Sequence, residues 1–306
     1  MYCNKKEEKQ HTLWTMAALL APLTQAASNC SWPAAACTGV ICVLLCWSLE
    51  HFGVEGTSSK WIGAVQWLWM LLVVSEFLHW TMLCWPNHRS YHTVPLVLLS
   101  MAALASARGK ETSSVSAAVL FWFTAVLLGV VLLSGIREVE IMNLKLEWKM
   151  QTAHLITVLL IPAMGMGLGY EKREGKRLLY AVAVAAVTGG VLSMQMVEEM
   201  EAPFYEMSRT LKFLGMGQRF ESLAAAGMML GYYILFTYLL SVMANVWDVG
   251  KENGKSVWIS AVFAAMVFIS GMRMNSKLLA LGTILIWVLI PALEKSVKIM
   301  KKPIDK

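Results

Sequence analysis

The chain has 306 residues, of which 57% are hydrophobic and only 15% charged, with a mean hydropathy of +0.56. A soluble globular domain carries about 25% charged residues, so the composition excludes that class and points to a membrane protein. The net charge of +6 comes without a basic patch interleaved with aromatics. It reads as a topology signal and not as a nucleic-acid surface.

A bilayer span needs roughly 20 apolar residues, and ten such runs can be placed. Met1–His11 is polar and charged, so residues 1–12 read as a tail with no cleavable signal. Span 1 covers Leu13–Ser28 and carries Pro22, Thr24 and Gln25; a proline followed by polar residues predicts an interrupted helix. Span 2 is Trp32–Leu49. Its Cys42 and Cys46 lie one helical turn apart and read as small buried hydrophobes, since the six cysteines lack zinc spacing. Span 3, Trp61–Trp85, contains Glu76 and His79. Span 4 is His92–Ala107, and span 5 is Ser114–Ile136. The segment 137–151 reads as a short interfacial connection.

Span 6, Thr152–Gly169, has Pro162 and then Gly165, Gly167 and Gly169. A basic turn at 172–177 leads to span 7, Leu178–Val197. Residues 199–221 form the longest patterned connection. Phe204, Met207, Leu211 and Leu214 recur at helical spacing, which predicts an amphipathic helix on the membrane surface. Spans 8 (Ser222–Trp247), 9 (Val257–Gly271) and 10 (Leu278–Leu293) follow, then a lysine-rich tail at 294–306.

Ten spans put both termini on one side. Seventeen of the 26 Lys and Arg fall on that side, which predicts cytoplasmic termini. Spans 1 and 6 are both proline-interrupted and lie five spans apart. Two broken segments at corresponding places predict an inverted repeat of two five-helix halves, residues 13–136 and 152–293, in one membrane domain. The bland alternative is that Pro22 and Pro162 merely kink ordinary spans.

In that fold a ligand sits near the midplane, where unwound backbone and helix ends offer hydrogen-bonding groups. The candidate ligand-binding residues are Pro22, Thr24 and Gln25 in span 1 and Pro162, Gly165 and Gly167 in span 6. The glycines also suit close helix packing. Glu76 is an ionisable group inside a span, a placement that costs about 2.5–3.5 kcal/mol on insertion scales. With His79 on the same helical face it forms a candidate proton or cation site, or else a satisfied structural pair. Tyr233, Thr237, Ser241 and Asn245 make a four-residue polar stripe in span 8. Tyr233 and Thr237 join the candidate pocket, with interhelical hydrogen bonding as the plainer role.

No His-Glu-x-x-His motif, Gly-x-Ser-x-Gly elbow or phosphate-binding loop occurs, so the expectation is a non-enzyme without cofactor or metal. His88 and His92 suggest an interfacial loop more than a metal site.

The run Pro203-Phe204-Tyr205 to Arg209, then Arg219-Phe220-Glu221 before a long apolar span, resembles the spore germination permease family. This is the B subunit of nutrient germinant receptors, within the amino acid–polyamine–organocation transporter superfamily. The resemblance extends from Leu160 through Leu293. Span 1 departs from it, because Ala21-Pro22-Leu23-Thr24-Gln25 stands where the family favours glycine. The resemblance implies an all-α ten-span transporter fold with broken helices 1 and 6. It implies a subunit in the inner membrane of a spore, or a bacterial cell membrane, that senses a small molecule such as an amino acid. It also implies a large A subunit and a lipoprotein C subunit as partners. The alternatives are an H⁺- or Na⁺-coupled amino acid or polyamine permease and a ligand-free scaffold subunit.

Overall fold

The computed structural model describes residues 2–27, 30–51, 60–84, 92–136, 152–167, 220–247 and 254–301. Among these residues every regular element is helical. The helices are α1 (Tyr2–Ala27), α2 (Trp32–His51), α3 (Lys60–Leu83), α4 (Thr93–Ser106) and α5 (Lys110–Ile136). Then come α6 (Ala153–Leu159), α7 (Ile161–Gly167), α8 (Phe220–Trp247), α9 (Gly254–Ile269) and α10 (Ser276–Ile284). A π segment, Leu285–Leu289, joins α10 to α11 (Ile290–Lys301). Span 7, the basic turn at 172–177 and all of the amphipathic stretch expected at 199–221 except Phe220 and Glu221, which open α8, lie outside the described residues.

Four apolar helical stretches are long enough to cross a membrane: Lys60–Leu83, Lys110–Val130, Ser222–Val246 and Ser276–Val297. At about 1.5 Å per residue, a helix of 21–25 residues matches a hydrocarbon core about 30 Å thick. Shorter apolar helices occupy Leu13–Ala27, Pro33–Leu49, Thr93–Ser106 and Gly254–Ile269. The outward faces are apolar too. On α5, Val115, Val119, Trp122, Phe123 and Val126 are exposed, and on α9, Ile259, Val262, Phe263, Met266 and Ile269 are. Water would not wet such faces without penalty, and lipid would. By length and composition the described helices suit a membrane protein.

The helix α8 is the hub. It packs on α1, α3, α4, α5 and α9, while α1 packs on α5, α6 and α8. Small residues allow the closest approach. A Cβ on Gly231 would collide with Ala21 of α1, so α1 and α8 nearly touch backbone to backbone. The α4–α5 turn contains Gly109 at φ 102°, a left-handed conformation that other residues rarely adopt.

The expected break in span 1 is absent. The helix α1 runs continuously from Tyr2 through Pro22 to Ala27, and it absorbs most of the expected tail at 1–12. A proline deletes only one backbone hydrogen bond. Around Pro22 stand Ala17, Ala18, Leu19, Leu20, Ala21 and Leu23, all strong helix formers, and no glycine. Span 6 does break, at one residue. Leu160 has φ −90° and ψ 0° and separates α6 from α7. The break stays tightly bonded: the Leu160 N–H donates to Ile156 O (3.0 Å), and the Met164 N–H donates to Leu160 O (3.1 Å). It is a proline-directed kink and not an unwound stretch.

Span 10 carries the irregularity that sequence reading missed. In the π segment the Ile290 N–H reaches back to Leu285 O. The next bond in that register would come from Pro291, which has no N–H. The fully buried Gln66 of α3 supplies the absent donor, its Nε2 lying 3.5 Å from Ile286 O.

Candidate functional site

Two polar layers sit where α1 and α8 meet. In the first, the Gln25 side-chain oxygen accepts hydrogen bonds from the Tyr232 hydroxyl and from the Cys84 thiol (3.6 Å). Gln25 is 4% exposed, and Tyr232 and Cys84 are at most 1% exposed. One carboxamide therefore ties together spans 1, 3 and 8. Thr24, beside it, turns its hydroxyl back onto Leu20 O (2.7 Å). Such back-bonding satisfies the hydroxyl within its own helix and leaves it poorly placed to receive a ligand.

In the second layer the Trp14 indole N–H lies 3.4 Å from Thr237 Oγ1. The Trp14 ring meets Tyr238 edge-on at 5.7 Å. Thr237 also donates to Ile234 O (2.7 Å), and its own carbonyl accepts from Ser241 (2.8 Å) and from Ser106 of α4 (3.0 Å). A Cβ on Gly165 would run into the Tyr238 hydroxyl, so α7 lies directly over this ring. The second layer thus joins spans 1, 4, 6 and 8.

The candidate residues divide accordingly. Gln25, Thr237 and Gly165 converge on the α1–α8 seam. Pro22 and Pro162 are buried but shape backbone alone. Gly167 closes α7, and its surroundings lie outside the described residues. Tyr233 is half-buried, and its neighbour Tyr232 is the residue that meets Gln25. One residue of offset turns a helical side chain by about 100°, so Tyr232 and not Tyr233 meets Gln25. Of that stripe, Thr237 bonds across to Trp14, while Ser241 donates back within α8 to Thr237 O.

Glu76 and His79 do not form a pair with each other. His79 is buried, holds Ser75 O through Nδ1 (2.8 Å) and packs on Phe268 of α9 (ring centroids 4.7 Å). Glu76 is half-buried and accepts from the Trp80 indole N–H (3.3 Å). Trp80 in turn stands edge-on to His154 of α6 at 4.8 Å. Positions three apart differ by about 60° around a helix, and here Phe268 of α9 meets His79 while His154 of α6 meets Trp80, the partner of Glu76.

Sequence reading missed Trp14, Cys84, His154, Tyr232 and Tyr238. Aromatic residues deep inside a span were the available signal, since a buried Tyr or Trp needs a partner for its O–H or N–H. Among the described residues no three His, Cys, Asp or Glu side chains gather into a metal site. Cys30, between α1 and α2, has its thiol pushed up to about 12 by burial and stays protonated at neutral pH. No protein-family profile matches the chain, and no curated protein matches it with significant similarity.

Proposed function

We propose that this protein is a five-plus-five inverted-repeat membrane protein that recognises a small solute at the α1–α8 seam, as a germinant receptor B subunit would. The observation that carries the reading is a packing pattern much of which survives exchange of the two halves, although among the described residues α1–α8 and α4–α5 have no counterpart of like extent in α6–α3 and α9–α10. The contact of α1 with α5 corresponds to that of α6 with α10, and α3 with α4 to α8 with α9. Likewise α3 with α9 corresponds to α4 with α8, and α5 with α8 to α3 with α10. The pairs α1–α6 and α3–α8 map onto themselves.

Side-chain pairs agree with ten alternating spans. Gln25–Tyr232, His79–Phe268 and Trp80–His154 each join ends that alternation puts on one side. Gly254 lies against Ala107 at the other end. The receptor role rests on the Pro203, Arg209, Arg219 and Glu221 resemblance; of these only Glu221, in the first turn of α8, falls within the described backbone. A zwitterionic amino acid suits the seam, where a carboxamide, a phenol and a thiol offer both donors and acceptors. Spore inner membrane, cytoplasmic termini and the large receptor and lipoprotein partners belong to the same proposal.

Uptake of radiolabelled amino acids into proteoliposomes tests it. A sensing subunit binds without concentrating the label, and robust accumulation would establish the permease reading instead. Germination of spores bearing Gln25→Ala at normal protein levels tests the seam; a wild-type response would remove Gln25 from it. One observation favours a ligand-free scaffold: the Gln25 oxygen already accepts two protein donors. In that case neither assay would respond to any amino acid.

A further inference from the structure

Away from the α1–α8 seam, the face of α3 toward α6 carries a charge that the solute-binding layers do not use. Glu76 is ionisable and lies within the apolar Lys60–Leu83 span. Its hydrogen-bond partner is a neutral indole, the Trp80 N–H at 3.3 Å. A carboxylate so placed calls for a positive partner or a proton. The candidate partner comes from the other half of the chain. His154, in the first turn of α6, packs edge-on to the same Trp80 ring at 4.8 Å. Trp80 is 6% exposed, whereas Glu76 and His154 are both half-buried. The indole thus touches a carboxylate at its N–H and an imidazole at its ring.

Among the described residues the other titratable groups nearby are engaged or exposed, apart from the buried thiols of Cys42 and Cys46 on α2, which also packs on α6. On α3, His79 is committed to Ser75 O and Phe268, and Cys84 to Gln25 and Trp80 O. His92, preceding α4, packs on Phe268 at 5.3 Å. On α10, which packs against α6, Lys277 is exposed, as is Arg273 in the turn before it. His154 is the only titratable side chain that α6 presents among the described residues.

We propose that Glu76 and His154 form one proton-binding site where Trp80 of span 3 meets span 6, with the indole as its bridge. One proton from water adds to an imidazole nitrogen of His154. The pair then passes from a net charge of −1 to an electrically neutral carboxylate–imidazolium couple. The ligand is a proton because a proton needs no cavity, and the two groups already flank a shared ring. The site stands whether the protein carries a solute or only senses one. It gives the two halves a joint whose charge changes as the imidazole takes up or releases a proton.

Trp80 is a built-in reporter, since an imidazolium in ring contact quenches indole fluorescence. The purified full-length protein is titrated in detergent micelles by intrinsic fluorescence, alongside Glu76→Gln, His154→Gln and Trp80→Phe. The proposal expects a reversible quench as pH falls, absent in His154→Gln and absent in Trp80→Phe. In Glu76→Gln the quench persists, but its midpoint falls by about one pH unit, because the carboxylate no longer favours the imidazolium. A quench of full amplitude in either His154→Gln or Trp80→Phe overturns the site. So does an unchanged midpoint in Glu76→Gln, which would mean that His154 titrates alone. Should His154→Gln fail to fold, Trp80→Phe and Glu76→Gln decide the matter by the same criteria.

Discussion

Spans 1 and 6 carry the same mark in sequence, a proline near the middle of an apolar run, and fold differently. Span 1 passes through Pro22 as one helix, whereas span 6 breaks at Leu160, two residues before Pro162. The difference lies in the neighbours. Leucines and alanines around Pro22 hold helical dihedrals at little cost, while Pro162 is followed by Gly165 and Gly167, each costing about 1 kcal/mol relative to alanine. One proline removes one hydrogen bond; a proline with glycines behind it yields a joint. Both spans nonetheless reach the same partner, α8, through a glycine: Gly231 meets α1, and Gly165 meets Tyr238.

The largest expected effect breaks the span 1 side. Gly231→Val drives a branched side chain into Ala21 and should abolish recovery of folded protein, or lower stability by about 3 kcal/mol. Adding Ala21→Gly removes the atom struck first and should restore much of the loss in thermal unfolding. If the double variant is no better than the single one, α1 does not lie against α8 as described.

The span 6 side responds less and through a different atom. Gly165→Ala collides with the Tyr238 hydroxyl and should cost about 1–2 kcal/mol. Tyr238→Phe removes that hydroxyl, so the pair together should unfold closer to the wild type than Gly165→Ala alone. Additive losses in a double-mutant cycle would separate α7 from this ring.

Removing one donor from the first layer comes next. Tyr232→Phe leaves Gln25 with the Cys84 thiol alone among the donors described above and should cost about 1 kcal/mol in chemical unfolding. An unchanged midpoint would mean that the hydroxyl contributes nothing to holding α1 on α8.

The prolines themselves give the smallest and most pointed contrast. Pro22→Ala restores a helix hydrogen bond in a helix that is already continuous, and should leave stability unchanged or slightly raised. Pro162→Ala removes the reason for the break and should straighten span 6, disturbing the Gly165–Tyr238 contact and the second layer. Thermal unfolding of the two single variants compares them, and equal responses would erase the distinction between the spans.

Much of the architecture was legible because apolar run length speaks directly to bilayer thickness. The described helices fall at nine of the ten expected spans, span 7 lying outside the described residues. Local irregularity was less legible. Pro22 and Pro162 look alike until their neighbours are weighed, and the π segment at Leu285–Leu289 becomes explicable only once Gln66, more than two hundred residues away in sequence, is found at Ile286 O. In the site, Gln25, Thr237 and Gly165 were readable as polar or small residues in apolar surroundings. Tyr232 and Cys84 were not, because helical phase over a 28-residue helix cannot be fixed without knowing which face α1 occupies. Glu76 announced itself as a charge within an apolar run, but the His154 ring beyond Trp80 could not be foreseen from spacing along α3.

Recognition at the α1–α8 seam is the central claim, and ligand-dependent thermal stability tests it most directly. The purified protein is melted with and without an equimolar mixture of the twenty proteinogenic amino acids, each at 5 mM as a trial concentration of about that order, beside Gln25→Leu. The account predicts a rise in the wild-type melting temperature that Gln25→Leu loses while keeping its folded, unliganded transition. A rise of the same size in Gln25→Leu, or no rise in the wild type, would contradict it.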